Sequence, residues 1–218
     1  QATTKSNVET TTTKTETTTK KTDSATETTT TDLSGAVNIS AGDATSLESA
    51  VKSATAGTVI NLAPGTYKIS SSALKFSKSG TAAKPITLTC STGRATIDCS
   101  NTSGSTRGIT ASGNYINFSN LTVTNAADNG MYVTGGYINI DNCIFQANHD
   151  SGLQISAGGN NVLVKNCTSF DNVDSTGENA DGFAAKLYLM VVFHTTTLMM
   201  VGTSIVSQAA RQISIQLL

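Results

Sequence analysis

Tyr115-Ile116-Asn117-Phe118-Ser119-Asn120 returns as Tyr137-Ile138-Asn139-Ile140-Asp141-Asn142 and again as Asn161-Val162-Leu163-Val164-Lys165-Asn166. From Asn120 to Asn142 is 22 residues and from Asn142 to Asn166 is 24, a period that marks one supersecondary unit stacked on its neighbours. Within each copy the apolar residues alternate: Ile116 and Phe118, Ile138 and Ile140, Val162 and Val164. Leu121 and Val123, then Cys143 and Phe145, continue the alternation beyond the Asn. Period two with β-branched and aromatic residues predicts strands with one face inward. Asn tolerates a left-handed bend and its amide can bond the Asn one coil away, so the recurring Asn predicts an inward ladder at a corner between strands. The fold class expected is all-β, a parallel β-helix.

A second column runs through Gly130, Gly152 and Gly182, each opening a further apolar strand. Gly130 to Gly152 is 22 residues but Gly152 to Gly182 is 30, so the last coil carries eight more. They fall between Asp171 and Ala180, a polar stretch with no face to bury, which must leave the stack as a loop. Loops on rigid scaffolds are where sites are built. Asp171, Asp174, Glu178 and Asp181 are a candidate cluster for a hard cation, since calcium takes six to eight oxygens; a solvated acidic loop is the other reading.

Upstream, Leu47, Ala50, Val51 and Ala54 space an amphipathic helix, with Ser46 as its N-cap and Gly57 as its stop, placed to cap the open end of the stack. Strands follow at 58–62, 85–90 and 95–99. Residues 1–36 are of another kind: Thr fills about half of 1–31, with almost nothing apolar. Such a segment predicts a disordered, O-glycosylated linker of a secreted protein, through which other modules join. The β-helix domain spans 37–187.

Among 218 residues with net charge −1 there is no basic field for nucleic acid, and two histidines make neither a zinc site nor a triad. Cys90 and Cys99, nine residues apart, could close a disulfide or stay free; Cys143 and Cys167 share an inward column and are expected as buried thiols. Sequons stand at Asn38, Asn101, Asn117, Asn120 and Asn166, of which Asn120 and Asn166, as ladder positions, are expected to be inaccessible.

Ser46-Leu47 through Pro64-Gly65-Thr66-Tyr67, Gly80 through Leu88, and above all Asn179-Ala180-Asp181-Gly182-Phe183-Ala184-Ala185-Lys186-Leu187 resemble the pectate lyases of polysaccharide lyase family nine, over about Asn38 to Leu187. The first two stretches are generic to β-helices; the Asn-Ala-Asp-Gly-Phe run is specific. The resemblance implies a right-handed parallel β-helix that cleaves polygalacturonate, the backbone of pectin, by calcium-dependent β-elimination, with Asp181 the first calcium-ligating aspartate. It also implies further ligands one coil on, in an Asp-Asp-Gly-aromatic-Asp motif, and a lysine base from a later coil. Neither is present here: no Asp-Asp-Gly occurs, and Lys186 directly follows the calcium motif, out of the base's place. The catalytic residues therefore stay unassigned.

From Tyr188 to Leu218 there is no Asp, Glu, Asn or Lys, and three of the four Met are found there. Met has one codon, so Met199-Met200-Val201 must be ATG ATG GTN, which two bases later forces Asp-Gly. Permitted codons around it spell Asp-Asp-Gly-Trp-Asp. Residues 188–218 are thus expected to be an out-of-frame continuation of the next coil; the alternatives are an apolar tail that caps the stack and, more weakly, a membrane span, which His194 to Thr197 interrupt. Two functions remain: a pectate lyase, incomplete in this chain, or a noncatalytic carbohydrate-binding or adhesive β-helix on a Thr-rich stalk. A polygalacturonase would need clustered aspartates and a His-Gly pair that the coils lack.

Overall fold

The computed structural model describes residues 31–174 and 180–185, together with the backbone of one strand at 213–216. Residues 31–36 of the expected linker are largely exposed, and 1–30 lie outside the described residues. The chain begins with β1 (Val37–Ile39) and α1 (Ala44–Ser53). It then winds through β2 (Val59–Leu62), β3 (Gly65–Lys68), β4 (Leu74–Phe76), β5 (Ile86–Thr89), β6 (Ala95–Asp98) and β7 (Ile109–Ala111). There follow β8 (Ile116–Ser119), β9 (Leu121–Thr124), β10 (Met131–Val133), β11 (Ile138–Asp141), β12 (Ile144–Gln146), β13 (Leu153–Ile155), β14 (Val162–Phe170), β15 (Phe183–Ala185) and β16 (Ile213–Gln216).

Each strand from β1 to β14 pairs in parallel with its counterpart in the neighbouring coil, which is the stacking the 22–24 period requires. Sheet A stacks β1, β2, β5, β8, β11 and the first half of β14. Sheet B stacks β3, β6, β9, β12 and the second half of β14. Sheet C stacks β4, β7, β10, β13 and β15. The registers thread apolar columns up the interior, Ile60–Leu88–Phe118–Ile140–Val164 in sheet A and Leu74–Ile109–Met131–Leu153–Phe183 in sheet C. Every one of these side chains is buried, and Phe76 meets Phe118 edge-on at 5.0 Å. Alternation in sequence became burial because successive strand residues face opposite sides of a sheet.

The corners are made by left-handed residues in three columns: Tyr115, Tyr137 and Asn161 before sheet A, Asn120, Asn142 and Asn166 between A and B, and Asn125, Ala147 and Asp171 after B, all with φ from 51° to 58°. The middle column is the Asn repeat of the sequence, but it lies on the outside of the corner. Asn142 and Asn166 are exposed, which corrects the expectation of an inward ladder and of a shielded sequon at Asn166. Its bonds are also interrupted: Asn142 Nδ2 donates to Asn120 Oδ1 at 2.8 Å, whereas Asn166 Nδ2 donates to Asp141 Oδ1 at 2.9 Å. Arg94 instead bridges the coils here, giving hydrogen bonds to the Leu121 and Asn142 carbonyls and to Asn142 Oδ1.

α1 caps the stack as expected, turning Leu47, Ala50 and Val51 inward. Its N-cap is Asp43, not Ser46: Asp43 Oδ1 accepts the Ser46 N–H at 3.0 Å, because the helix starts three residues earlier than the apolar spacing suggests. At the other end β16 pairs antiparallel with β14, Leu163 opposite Gln216 and Val164 opposite Ile215. The rest of the 188–218 tail lies outside the described residues.

All four cysteines are free and buried. Cys90 and Cys99 do not form the disulfide left open above, and Cys143 and Cys167 meet in adjacent coils, the Cys143 N–H reaching Cys167 Sγ at 3.4 Å. Burial pushes the Cys99 thiol up to about 12 and Cys143 well above its usual range. Cys167 goes the other way, its hydrogen bond with the Cys143 thiol lowering it, so what shields it is its complete burial; a native thiol titration at pH 8 should find none of the four, and all four after denaturant. Rapid native labelling would contradict this packing.

Candidate functional site

The turn from sheet B to sheet C is where polar residues enter the helix. Ala126, Asn148 and Asn172 occupy its inward column, again at spacings of 22 and 24. Asn148 is fully buried. Its Oδ1 accepts the Ala126 N–H at 3.1 Å and its Nδ2 donates to Asn172 Oδ1 at 2.9 Å and to the Val123 carbonyl. Asn172 passes the chain on, donating to Ser169 Oγ and the Phe145 carbonyl. This is the inward Asn ladder, one corner away from where the sequence repeat suggested it. The spacing was visible, but Asn148 and Asn172 do not stand in a repeated apolar frame.

After the loop come the glycines. The N–H of Gly108, Gly130 and Gly152 each bonds the carbonyl one coil up, of Asn129, Ser151 and Asp181, at 2.9–3.0 Å. A Cβ on Gly152 would sit 2.0 Å from Ser169 Oγ and 2.9 Å from the Gly182 carbonyl, so only glycine lets the coils close up here. The residues just before the glycines therefore form one column, Arg107–Asn129–Ser151–Asp181. The Asp181 N–H reaches Ser151 Oγ at 3.3 Å, and Arg107 Nε donates to Asn129 Oδ1 at 3.1 Å.

Beside this column stand Asp128 and Asp150, each one residue earlier. Each carboxylate accepts the next backbone N–H at 2.7 Å. They line a groove of about 1030 Å³ with Asn125, His149, Val173 and Asp174. Desolvation, then the facing Asp128, raise the Asp150 carboxyl above its ordinary range; desolvation, then the charge of Asp150, raise Asp181. Three acids thus crowd one strip of the surface. Of the four residues of the expected cluster, Asp174 lines the groove and Asp181 stands in the column beside Asp150. Asp171 is a corner residue, and Glu178 lies outside the described residues. Asp128 and Asp150 were missed, although Asp128-Asn129-Gly130 and Asp150-Ser151-Gly152 repeat at 22. Among the described residues no group of three or more His, Cys, Asp or Glu is arranged about a metal position.

The crowding has a measurable sign. A carboxyl raised in the folded state means that the native protein binds its proton more tightly than the unfolded chain does. Stability then falls as pH rises from the ordinary carboxylate range to the folded value, and stays lower above it. Without divalent cations, Asp150→Asn should therefore raise the melting temperature at pH 7, with the gain gone below about pH 3.5. The Asn Oδ1 keeps the bond to the Ser151 N–H. A melting temperature that falls equally at both pH values would contradict it.

Three parallel sheets stacked coil on coil define a right-handed parallel β-helix protein. The chain belongs to the family described as Pel9A-like, right handed beta helix region, whose model matches residues 26–194. Among solved structures it is similar to pectate lyase Pel9A, at 32% identity and a TM-score of 0.55, over 62% of this chain and 37% of that one. It is also similar in fold to an alginate lyase from Paenibacillus sp. str. FPU-7, at 23% identity and a TM-score of 0.59, over 70% of this chain and 50% of that one. The chain thus spans half or less of the length of either lyase. No curated protein sequence matches it.

Proposed function

We propose that this chain is a secreted pectate lyase-like protein acting on polygalacturonate, incomplete as an enzyme, with calcium as its cofactor and Asp181 as a ligand. The observation that carries this is Asp181 itself. It sits in the family's specific Asn-Ala-Asp-Gly-Phe run, at the site where Asp150 crowds it. A carboxylate raised by desolvation and by a neighbouring carboxylate, as Asp181 is beside Asp150, belongs to a donor set that suits a hard cation in kind. In number they fall short, since Asp181 and Asp150 supply only part of a six-to-eight oxygen shell.

Bound calcium would neutralise a uronate carboxylate of the substrate and make the neighbouring ring proton more acidic. The chain's own residues do the rest. The Ser151 hydroxyl holds the Asp181 backbone, and the Asn148–Asn172 ladder fixes the corner from which the Asp181 loop departs. The later lysine that the resemblance implies as base has no counterpart, since no Lys follows Lys186, and Arg211 lies outside the described residues. The noncatalytic reading, a polysaccharide-binding β-helix on a Thr-rich stalk, is favoured by that lack and by β16, whose antiparallel strand takes an edge that a further parallel coil would occupy.

The decisive experiment follows absorbance of unsaturated uronides with polygalacturonate, in calcium and in chelator. The 218-residue chain should show no appreciable turnover, but calcium-dependent retention on the polymer that Asp181→Ala removes. Retention that ignores both calcium and Asp181 would leave the noncatalytic module as the function. Turnover lost on Asp181→Ala would show the chain complete as it stands.

A further inference from the structure

We propose that Arg107 is a carboxylate-binding subsite for the acidic polysaccharide, three coils from Asp181 on the same column; this deepens the lyase reading and rests on it. At one coil per strand spacing the two residues are about 14 Å apart along the helix axis. Arg107 is held on three counts. Its Nε donates to Asn129 Oδ1 at 3.1 Å and lies 3.8 Å from Asp128 Oδ2, and its guanidinium lies over the Tyr132 ring at 3.8 Å from the centroid.

What remains is the outer edge of the fork. Among the described residues neither Nη group has a protein partner, and about a third of the side chain is open to solvent. A planar guanidinium fixed by one nitrogen and one face presents two parallel donors, the geometry that takes a carboxylate bidentately.

Asn129 supplies an independent sign. It is 1% exposed, its Oδ1 is committed to Arg107, and among the described residues its Nδ2 is a buried donor without a partner. Such a group costs stability, and a nonpolar residue would avoid the cost; what the Asn does accomplish is to orient the guanidinium. Charge points the same way. Asp128, Asp150 and Asp174 in the groove wall would repel a polyanion, and Arg107 is a cation set against the first of them, Asp128. Tyr132 belongs to an outward row of sheet C, Lys75–Thr110–Tyr132–Gln154–Ala184, that runs from an exposed lysine up to the strand following Asp181. A chain of uronates laid along that row meets Arg107 before it meets Asp181.

The test measures binding of the full 218-residue chain to acidic oligogalacturonate by calorimetry at low salt, with and without calcium. Arg107→Gln should weaken binding at least tenfold in both conditions, Arg107→Lys less, and Tyr132→Leu a few-fold, because it frees the guanidinium without removing it. A fully methyl-esterified oligomer should bind the unaltered chain no better than the acidic oligomer binds Arg107→Gln. Asp181→Asn should abolish only the calcium-dependent part. Should Arg107→Gln fail to melt cooperatively, Arg107→Lys and Tyr132→Leu decide. Unchanged affinity in Arg107→Gln, or in both of the other variants, overturns the subsite and leaves the lyase reading standing. An unaltered chain that binds neither oligogalacturonate nor alginate overturns both.

Discussion

Calcium binding tightens by at least about tenfold, close to 1.4 kcal/mol, when the reading frame is shifted so that the tail carries Asp-Asp-Gly-Trp-Asp in place of the run around Met199-Met200-Val201. The warrant is ligand number. Asp181 and Asp150 offer two carboxylates, whereas the shifted frame adds up to three more from the next coil, and oxygen count and charge govern calcium affinity. Calorimetry on both chains, each with and without Asp181→Ala, measures it. Equal affinity in the two frames, or a coding sequence across codons 186–204 that cannot spell the motif, sinks the frameshift. Turnover should need more coils still, since the frame shift supplies ligands but no positioned base. If the written tail is the native one, β16 covers the edge of β14, and deleting 213–216 should lower the melting temperature instead.

Asn148→Ala should destabilise the β-helix by about 3 to 5 kcal/mol, lowering the melting temperature by roughly 6–20 °C for a domain of this size. The substitution strips two buried groups at once: the Ala126 N–H loses its acceptor and the Val123 carbonyl a donor, while Asn172 Oδ1 keeps only the backbone N–H of residue 148. Each unsatisfied buried group costs about 1–3 kcal/mol, and no water reaches a residue with no exposed surface to replace the bonds. By contrast, Asn142→Ala should cost about 1 kcal/mol, because its amide is exposed and water can take its place, leaving chiefly the left-handed bend to be strained. Equal losses in the two variants would show that the inner ladder is not what fixes this corner.

That contrast marks the division between sequence and structure in this protein. The fold class could be read from the chain because period-two burial and a 22–24 repeat have one geometric solution, a stack of coils. Ile116, Ile138 and Val162 lie over one another as their spacing requires. The capping helix was legible for the same reason, its stripe of Leu47, Ala50 and Val51 having one face to bury. Asp181 was legible through a short specific run.

Which Asn faces inward was not. Corner Asn residues at 120, 142 and 166 and buried ones at 148 and 172 share a residue type and a period, and only the direction of the chain at each bend separates them. The acidic strip was hidden likewise. Asp128, Asp150 and Asp181 are 22 and 31 residues apart, and a longer last loop breaks their register, yet stacking brings Asp128 near enough to raise the Asp150 carboxyl and Asp150 near enough to raise Asp181, each on top of desolvation. Arg107, in the turn before sheet C, gave no signal at all. Its partners Asp128, Asn129 and Tyr132 come from the next coil, so its orientation exists only once the coils have stacked. Local pattern determines what a coil is; contact between coils, each about 4.8 Å above the last, decides what its surface can bind.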